Sequence, residues 1–546
     1  MLNKTADFWF SLLLWLLILL MALVTRTILP VDETRYLSVA WEMWISNNFL
    51  VPQLNGEAYS HKPPLLFWLI HLGWSIFGVN ELWPRLVAPL FGLGCLLLTR
   101  KIAKLLWPHL RDVGDLSLLV LLGSLFWITF ATLTMFDLLV SFFVLCALTG
   151  IIISWQRGQV LGFVIFSISI GLGGLAKGPV ILVHTLPVAL LVPYLGNWSH
   201  VSLKRKPLTR WYLALFLSIV FGVLIVLCWA LPAGYSGGEA YQNAIFFGQT
   251  VGRMAKSFAH ERPWWWYFMV LPALFLPWTF WPSVWRSFFL LKISRYVDSG
   301  VLFCLCWFFS ALFIFSLISG KQLHYLLPEF SALALLISYF LLLKDSVSKL
   351  KYQIFFPCLI SIICGLAIII LPNISPVMEA ITWLEKINWG WGALAVLIGL
   401  WGALQRKLNL KVAVRNIVIG SAGLVITVHL ALNSVLASNY NLKPLAQQIR
   451  VWQDQGYAIA NFGKYHGQYN FLGRLKSPIT VIGVKAFQKI AFLKAHPNGR
   501  IIAYYKVLPS APAPIKTVQF RQMTIAVWDA SSFRTNPRLG DRRENK

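Results

Sequence analysis

FWFSLLLWLLILLMALVTRTILPVDETRY, residues 8–36, joins an unbroken apolar run to the adjacent carboxylates Asp32 and Glu33. Phe8 to Val24 carries no charge and has the length that crosses bilayer hydrocarbon as a helix, about 17–25 residues. No small-x-small cleavage site follows the run, so it reads as a retained first span rather than a leader. Placed at the exit of that span, Asp32, Glu33, Arg35 and Tyr36 mark the first polar loop on the far side of the membrane.

The rest of the chain repeats the same grammar. Of 546 residues, 58% are hydrophobic and only 12% are charged. The apolar runs are continuous rather than alternating, which predicts helices and excludes a barrel. A formal net charge of +27 would suggest nucleic acid for a soluble chain. Here the Lys and Arg sit in short connections between spans, so membrane topology accounts for them and nucleic acid is not expected. The cysteines lie in apolar stretches without a C-x-x-C pair, which argues against a thiolate metal site.

Candidate spans fall at 8–28, 83–106, 115–133, 137–154, 160–176, 178–196, 211–231, 266–288, 301–319, 323–343, 353–371, 388–405 and 413–437, about thirteen in all. PPLLFWLIHLGWSIFG, led by two prolines, is too short for a comfortable span and reads as an interfacial or re-entrant helix in an outer loop over 30–82; a second outer loop covers 232–265. With the N-terminus inside, the connections at 100–112, 155–159, 200–210, 285–298, 344–351 and 405–415 carry the greater share of basic residues, as cytoplasmic loops should. The expectation is a polytopic α-helical membrane domain over 1–438. A soluble α/β domain over 439–530 should follow on the outer side, where NLKPLAQQIRVWQDQGYAI, SPITVIGV, GRIIAYYKVLP and VQFRQMTIAVWDA predict a helix and short strands; a polar basic tail ends the chain at 531–546.

That topology gathers ionisable groups on one face. Asp32, Glu33, Arg35, Tyr36, His61, Lys62, Asp137, Lys177, Arg253, His260, Arg262, Lys321, His324 and Tyr325 come from six separate stretches on the outer side. Singly, each has a plain explanation: interface marking, snorkelling, or an aromatic belt for Trp264–Trp266. Asp137, a carboxylate opening a span with no basic neighbour in sequence, is the hardest to explain that way. Together they predict a polar cavity at the outer membrane boundary. Cations beside lipid suit a phosphate-bearing lipid, and a carboxylate suits a general base on an incoming hydroxyl or phosphate. Neither a phosphate-binding G-x-x-x-x-G-K-[ST] loop nor a Rossmann fingerprint is present, so no nucleotide cofactor is expected.

The motifs DETRY (32–36), HKP (61–63), FD (136–137), AKGP (176–179), HERPWWWY (260–267) and KQLHYLLP (321–328), in that order, resemble those of membrane-embedded GT-C glycosyltransferases of the aminoarabinose transferase and protein O-mannosyltransferase kind. The span count and the outer C-terminal domain, with FGKYHGQYNFLGR, resemble the aminoarabinose branch. The resemblance implies a bacterial inner-membrane enzyme that transfers a sugar from a polyprenyl-phosphate donor to a lipid A-like glycolipid or a protein. It implies catalytic roles for Asp32, Glu33 and Asp137. Arg35, Tyr36, Lys62, Lys177, Arg253, Arg262, Lys321 and Tyr325 would bind substrate. It also implies a possible divalent metal, zinc, on His61 and His260, although the branch carries Glu where His61 stands. The rival expectation is a secondary transporter or flippase for an anionic or lipid-linked solute. It would require related halves with broken helices, and no such halves are visible.

Overall fold

The computed structural model describes residues 6–195, 207–248, 261–289, 296–343, 353–374, 382–405, 409–483, 486–536 and 539. Within it, α1 (Ala6–Thr25) leads through a short connection to α2 (Asp32–Ile45). A two-strand hairpin follows, β1 (Gln53–Leu54) and β2 (Glu57–Ala58), turned by Asn55 and Gly56 at φ 57° and 80°. Positive φ at both turn positions is what an Asn-Gly pair supplies. Then come α3 (Leu65–Phe77), α4 (Leu82–Leu106), α5 (Val113–Leu122), α6 (Leu125–Phe130), α7 (Phe136–Arg157), α8 (Val160–Lys177), α9 (Val180–Leu191) and α10 (Leu208–Asn243). At 13 residues α3 is about 20 Å long, too short to span, as its leading prolines predict.

Every expected span contains helix, but the count of thirteen does not follow from helix length. Eight helices are long and apolar enough to cross a membrane among the described residues. Several others are shortened or broken where the sequence removes backbone donors. The stretch 266–288 splits into Trp266–Leu274, a 3-10 turn at Trp278–Phe280 and Pro282–Phe288, with Pro277 and Pro282 at the breaks. The stretch 115–133 splits between α5 and α6 at Gly123 and Ser124. This is a multi-pass membrane protein whose helices pack on one another. α7 and α8 come close because a Cβ on Gly150 would stand 2.4 Å from the Gly162 carbonyl oxygen, and one on Gly162 would stand 2.2 Å from that of Gly150. Small residues that let backbones approach are how helices associate when lipid removes the hydrophobic drive.

After the long helix Leu410–Asn439, the amphipathic helix Lys443–Asp454 buries Leu445, Ala446, Ile449 and Trp452. It leads into β3 (Ile459–Phe462), followed by β4 (Thr480–Ile482), β5 (Arg500–Tyr505), β6 (Lys516–Phe520) and β7 (Met523–Asp529). The sheet order is β4-β3-β5-β7-β6; β3 is parallel to β4 and β5, and β7 is antiparallel to β5 and β6. The run VQFRQMTIAVWDA is thus a hairpin, turned where Arg521 adopts φ 58°.

This sheet domain rests on α2. Ser38 Oγ donates to the Gly467 carbonyl at 2.5 Å, and Trp41 Nε1 donates to that of Leu475 at 2.8 Å. The Glu42 carboxylate accepts from Asn470 Nδ2 and from the Asn55 backbone N–H, each at 2.6 Å. Trp74 of α3 stacks on Phe471 with ring centroids 5.4 Å apart and planes 8° from parallel. One helix therefore carries Asp32 at its start and holds the soluble domain over its next turns.

Candidate active site

Asp32 opens α2 with half its side chain exposed and pairs with Arg35 one turn later. The Tyr36 hydroxyl points to Asp32 at 3.5 Å, and its buried ring meets Phe136 edge-on at 4.9 Å. Phe136 is the first residue of α7, so this contact sets the start of α2 beside the start of the span that carries Asp137. Lys62, from the loop before α3, lies over the same Phe136 ring with Nζ 5.6 Å from its centroid.

Asp137 is buried and holds Lys177, the last residue of α8, at 2.5 Å. His324 Nε2 stands 3.9 Å from the same carboxylate. Lys177 Nζ also lies 4.5 Å from the Tyr325 ring centroid, an ammonium-over-ring contact that leaves it within reach of a further anion.

Beside this cluster lies a cavity of about 660 Å³ between the 60–63 loop, α8, α9 and α10. Ile170, Ile181, Val226, Trp229 and Phe246 form its apolar wall, while His61, Lys62, Lys177 and Tyr325 supply its polar groups. Ile170 and Lys177 are seven residues apart on α8, so wall and ammonium are separated by about 10 Å along one helix face. The result is an apolar-lined groove with a cationic end.

Glu33, Lys321 and Arg262 make contacts of their own in the structure. Glu33, expected to support catalysis, turns away from Asp32 into a buried ion pair with Arg26, and it accepts from the Leu29 and Thr134 backbone N–H groups at 2.8 Å each. Arg26 in turn donates to the Thr132 carbonyl at 2.9 Å. Burial raises the Glu33 pKa, but Arg26 and these bonds outweigh it and the net direction is down. Lys321, expected to bind substrate, is buried and donates to the Ile318 and Arg262 carbonyls at 2.5 and 3.0 Å. Together with the Arg262 N–H bonded to the Ser319 carbonyl at 3.1 Å, it fastens two backbone segments. The Arg262 side chain lies over Trp266, 5.8 Å from the ring centroid.

Arg253 and His260 lie outside the described residues. His61, the other half of the expected zinc pair, stacks on Tyr59 at 5.2 Å. Among the described residues no three His, Cys, Asp or Glu side chains gather as a ligand set, and no step below runs through a metal. Two contributors escaped notice in the sequence. Arg26 looks like a span-end cation, its only signal being Glu33 seven residues on. His466, from the soluble domain, feels the charges of Arg35 and Asp32, which the docking on α2 brings near, besides that of its sequence neighbour Lys464.

Comparison with known proteins gives a consistent picture. A family model described as dolichyl-phosphate-mannose-protein mannosyltransferase matches residues 61–229. An undecaprenyl phosphate-alpha-4-amino-4-deoxy-L-arabinose arabinosyl transferase of Enterobacter sp. (strain 638) is 29% identical over 348 residues, covering 61% of this chain and 59% of the relative. A protein of the same name, numbered 2, from Proteus mirabilis (strain HI4320) is 25% identical over 403 residues, covering 72% and 69%. The matched region thus spans about 59% of the Enterobacter protein's length. The crystal structure of ArnT from Cupriavidus metallidurans bound to undecaprenyl phosphate shares the fold at TM-score 0.70 and 17% identity, over 96% of this chain and 98% of that one. The chain thus shares the fold of that structure along almost its whole length and is similar in sequence to those arabinosyl transferases and, over residues 61–229, to the protein mannosyltransferase family model.

Proposed function

We propose that the protein transfers a sugar from a polyprenyl-phosphate donor to an acceptor, a lipid A-like glycolipid or a protein, at the outer face of a bacterial inner membrane, with the N-terminus cytoplasmic and the sheet domain outside. The observation that carries this reading is the apolar groove of about 660 Å³ with Lys62, Lys177 and Tyr325 at its polar end, next to Asp137 and the exposed Asp32. A prenyl chain fits the wall and its phosphate fits the ammonium groups. The relatives' names, with undecaprenyl phosphate and 4-amino-4-deoxy-arabinose, support that donor class.

In the proposed reaction Asp32 takes the proton from the acceptor oxygen as that oxygen bonds to the sugar C1. The C1–O bond to the polyprenyl phosphate breaks, and the phosphate leaves with the electron pair. Lys62 and Lys177 hold the charge that builds on it, the transition-state stabilisation preorganised cations provide. Asp137 fixes the Lys177 ammonium.

The test is mass spectrometry of membrane lipids and envelope glycoproteins from cells with and without the protein, joined to a transfer assay with an undecaprenyl-phosphate-linked sugar. A sugar-sized mass present only with the protein is expected, and its carrier names the acceptor class. Lys62→Ala should raise the donor KM by roughly tenfold to a hundredfold, as expected for losing a charged hydrogen bond. Unchanged glycans together with altered lipid or solute movement would overturn transfer.

A further inference from the structure

The opposite end of the membrane domain holds a second cavity that transfer does not use. Arg157, in the last turn of α7, is 20 residues from Asp137 in its first, about 30 Å along the helix. There α1, α4 and α7 border a groove of about 460 Å³ with Phe8, Leu97 and Leu105 in its floor. Gln156 Nε2 donates to the Leu105 carbonyl at 3.0 Å and so fixes the end of α7 against that of α4.

The charges around this groove do not balance. Arg100 pairs with Asp115 and lies over Phe8, 4.4 Å from the ring centroid. At the same end Asp112 is taken by Lys411 at 2.7 Å and Asp7 by Arg415 at 3.0 Å, while Asp298 accepts from Trp107 Nε1 at 2.8 Å. Lys101, Lys104 and Arg157 line the groove, stand exposed, and form no ion pair with a carboxylate among the described residues. The floor continues outward: Leu97 and Leu90, seven residues apart on one face of α4, are 40% and 47% exposed. A cationic rim at the membrane boundary running into an apolar strip is the outline of a phospholipid.

We propose that this groove binds one anionic phospholipid, its phosphate held by Lys101, Lys104 and Arg157 and an acyl chain laid along Phe8 and Leu97. Basic pockets between membrane helices are known to take anionic headgroups, at about fivefold in affinity per cation. The choice of a lipid over a free phosphate ester rests on the apolar floor, which a soluble ester would leave uncovered. The site is independent of the proposed transfer chemistry, because none of its residues contacts the donor cavity.

Native mass spectrometry of the full-length protein in detergent tests it, with phosphatidylglycerol, phosphatidylcholine of the same chains, and glycerol 3-phosphate as probes. One phosphatidylglycerol adduct should form roughly a hundredfold more tightly than the phosphatidylcholine adduct. The advantage should vanish in Lys101→Gln/Lys104→Gln/Arg157→Gln. If that variant does not yield folded protein, Lys101→Gln alone should weaken the adduct about fivefold. Equal affinity for the two lipids, a tight adduct that survives neutralisation, or glycerol 3-phosphate binding as tightly as the lipid would each overturn the proposal.

Discussion

Asp32→Asn protein is expected to accumulate and melt like the wild type while transferring sugar roughly a hundredfold to ten-thousandfold more slowly, the range that general-base catalysis contributes. The substitution keeps the side-chain volume and one acceptor oxygen and removes the negative charge, and with it the ability to take a proton. Stability should barely move, because the half-exposed carboxylate makes a surface pair with Arg35 that is worth at most about 1 kcal/mol. The loss should fall on kcat, with the donor KM little changed, since Lys62 and Lys177 hold the phosphate in the proposed complex. Asp32→Glu should recover part of the rate if proton transfer is the role. Full transfer by a well-folded Asp32→Asn enzyme would remove Asp32 from catalysis and shift attention to Asp137.

The sequence made the membrane domain legible because a bilayer leaves the chain few options. Long uncharged runs must be helices, and span-end charges stand out against 58% hydrophobic residues. Asp137 was visible for that reason, and so was Lys177, though not that they pair across 40 residues. The span count was less secure, since Pro277 and Pro282 break a hydrophobic stretch without changing its hydropathy. The roles of Glu33 and Lys321 were not legible. A charged residue beside a site and a charged residue that fastens backbone have the same one-letter signature, and only burial and the carbonyls around Lys321 Nζ separate them. The approach of His466 to Asp32 depends on a domain more than 400 residues later resting on α2, which no local pattern encodes.

The sharpest separation is between Asp32 and Glu33 themselves. Glu33→Gln is expected to destabilise the protein by about 3–5 kcal/mol, because it leaves the Arg26 guanidinium buried without its counter-charge. That is a large share of a total stability of about 5–15 kcal/mol, so the variant should give low yields and an early melt in detergent. The network joins the end of α1, the start of α2 and the turn at Thr132–Thr134 before α7, so its loss loosens the frame that sets Asp32 against Phe136. Removing both charges with Arg26→Met/Glu33→Leu should recover part of the stability, since no uncompensated ion remains buried. A catalytic Glu33 would behave oppositely, with Glu33→Gln melting like the wild type and losing transfer, and that outcome would overturn the structural assignment. Adjacent carboxylates with opposite mutant signatures, one lost in rate and the other in melting, follow from a single helical step. At about 100° per residue, Asp32 at the start of α2 faces the solvent side and Glu33 faces the helices beneath it.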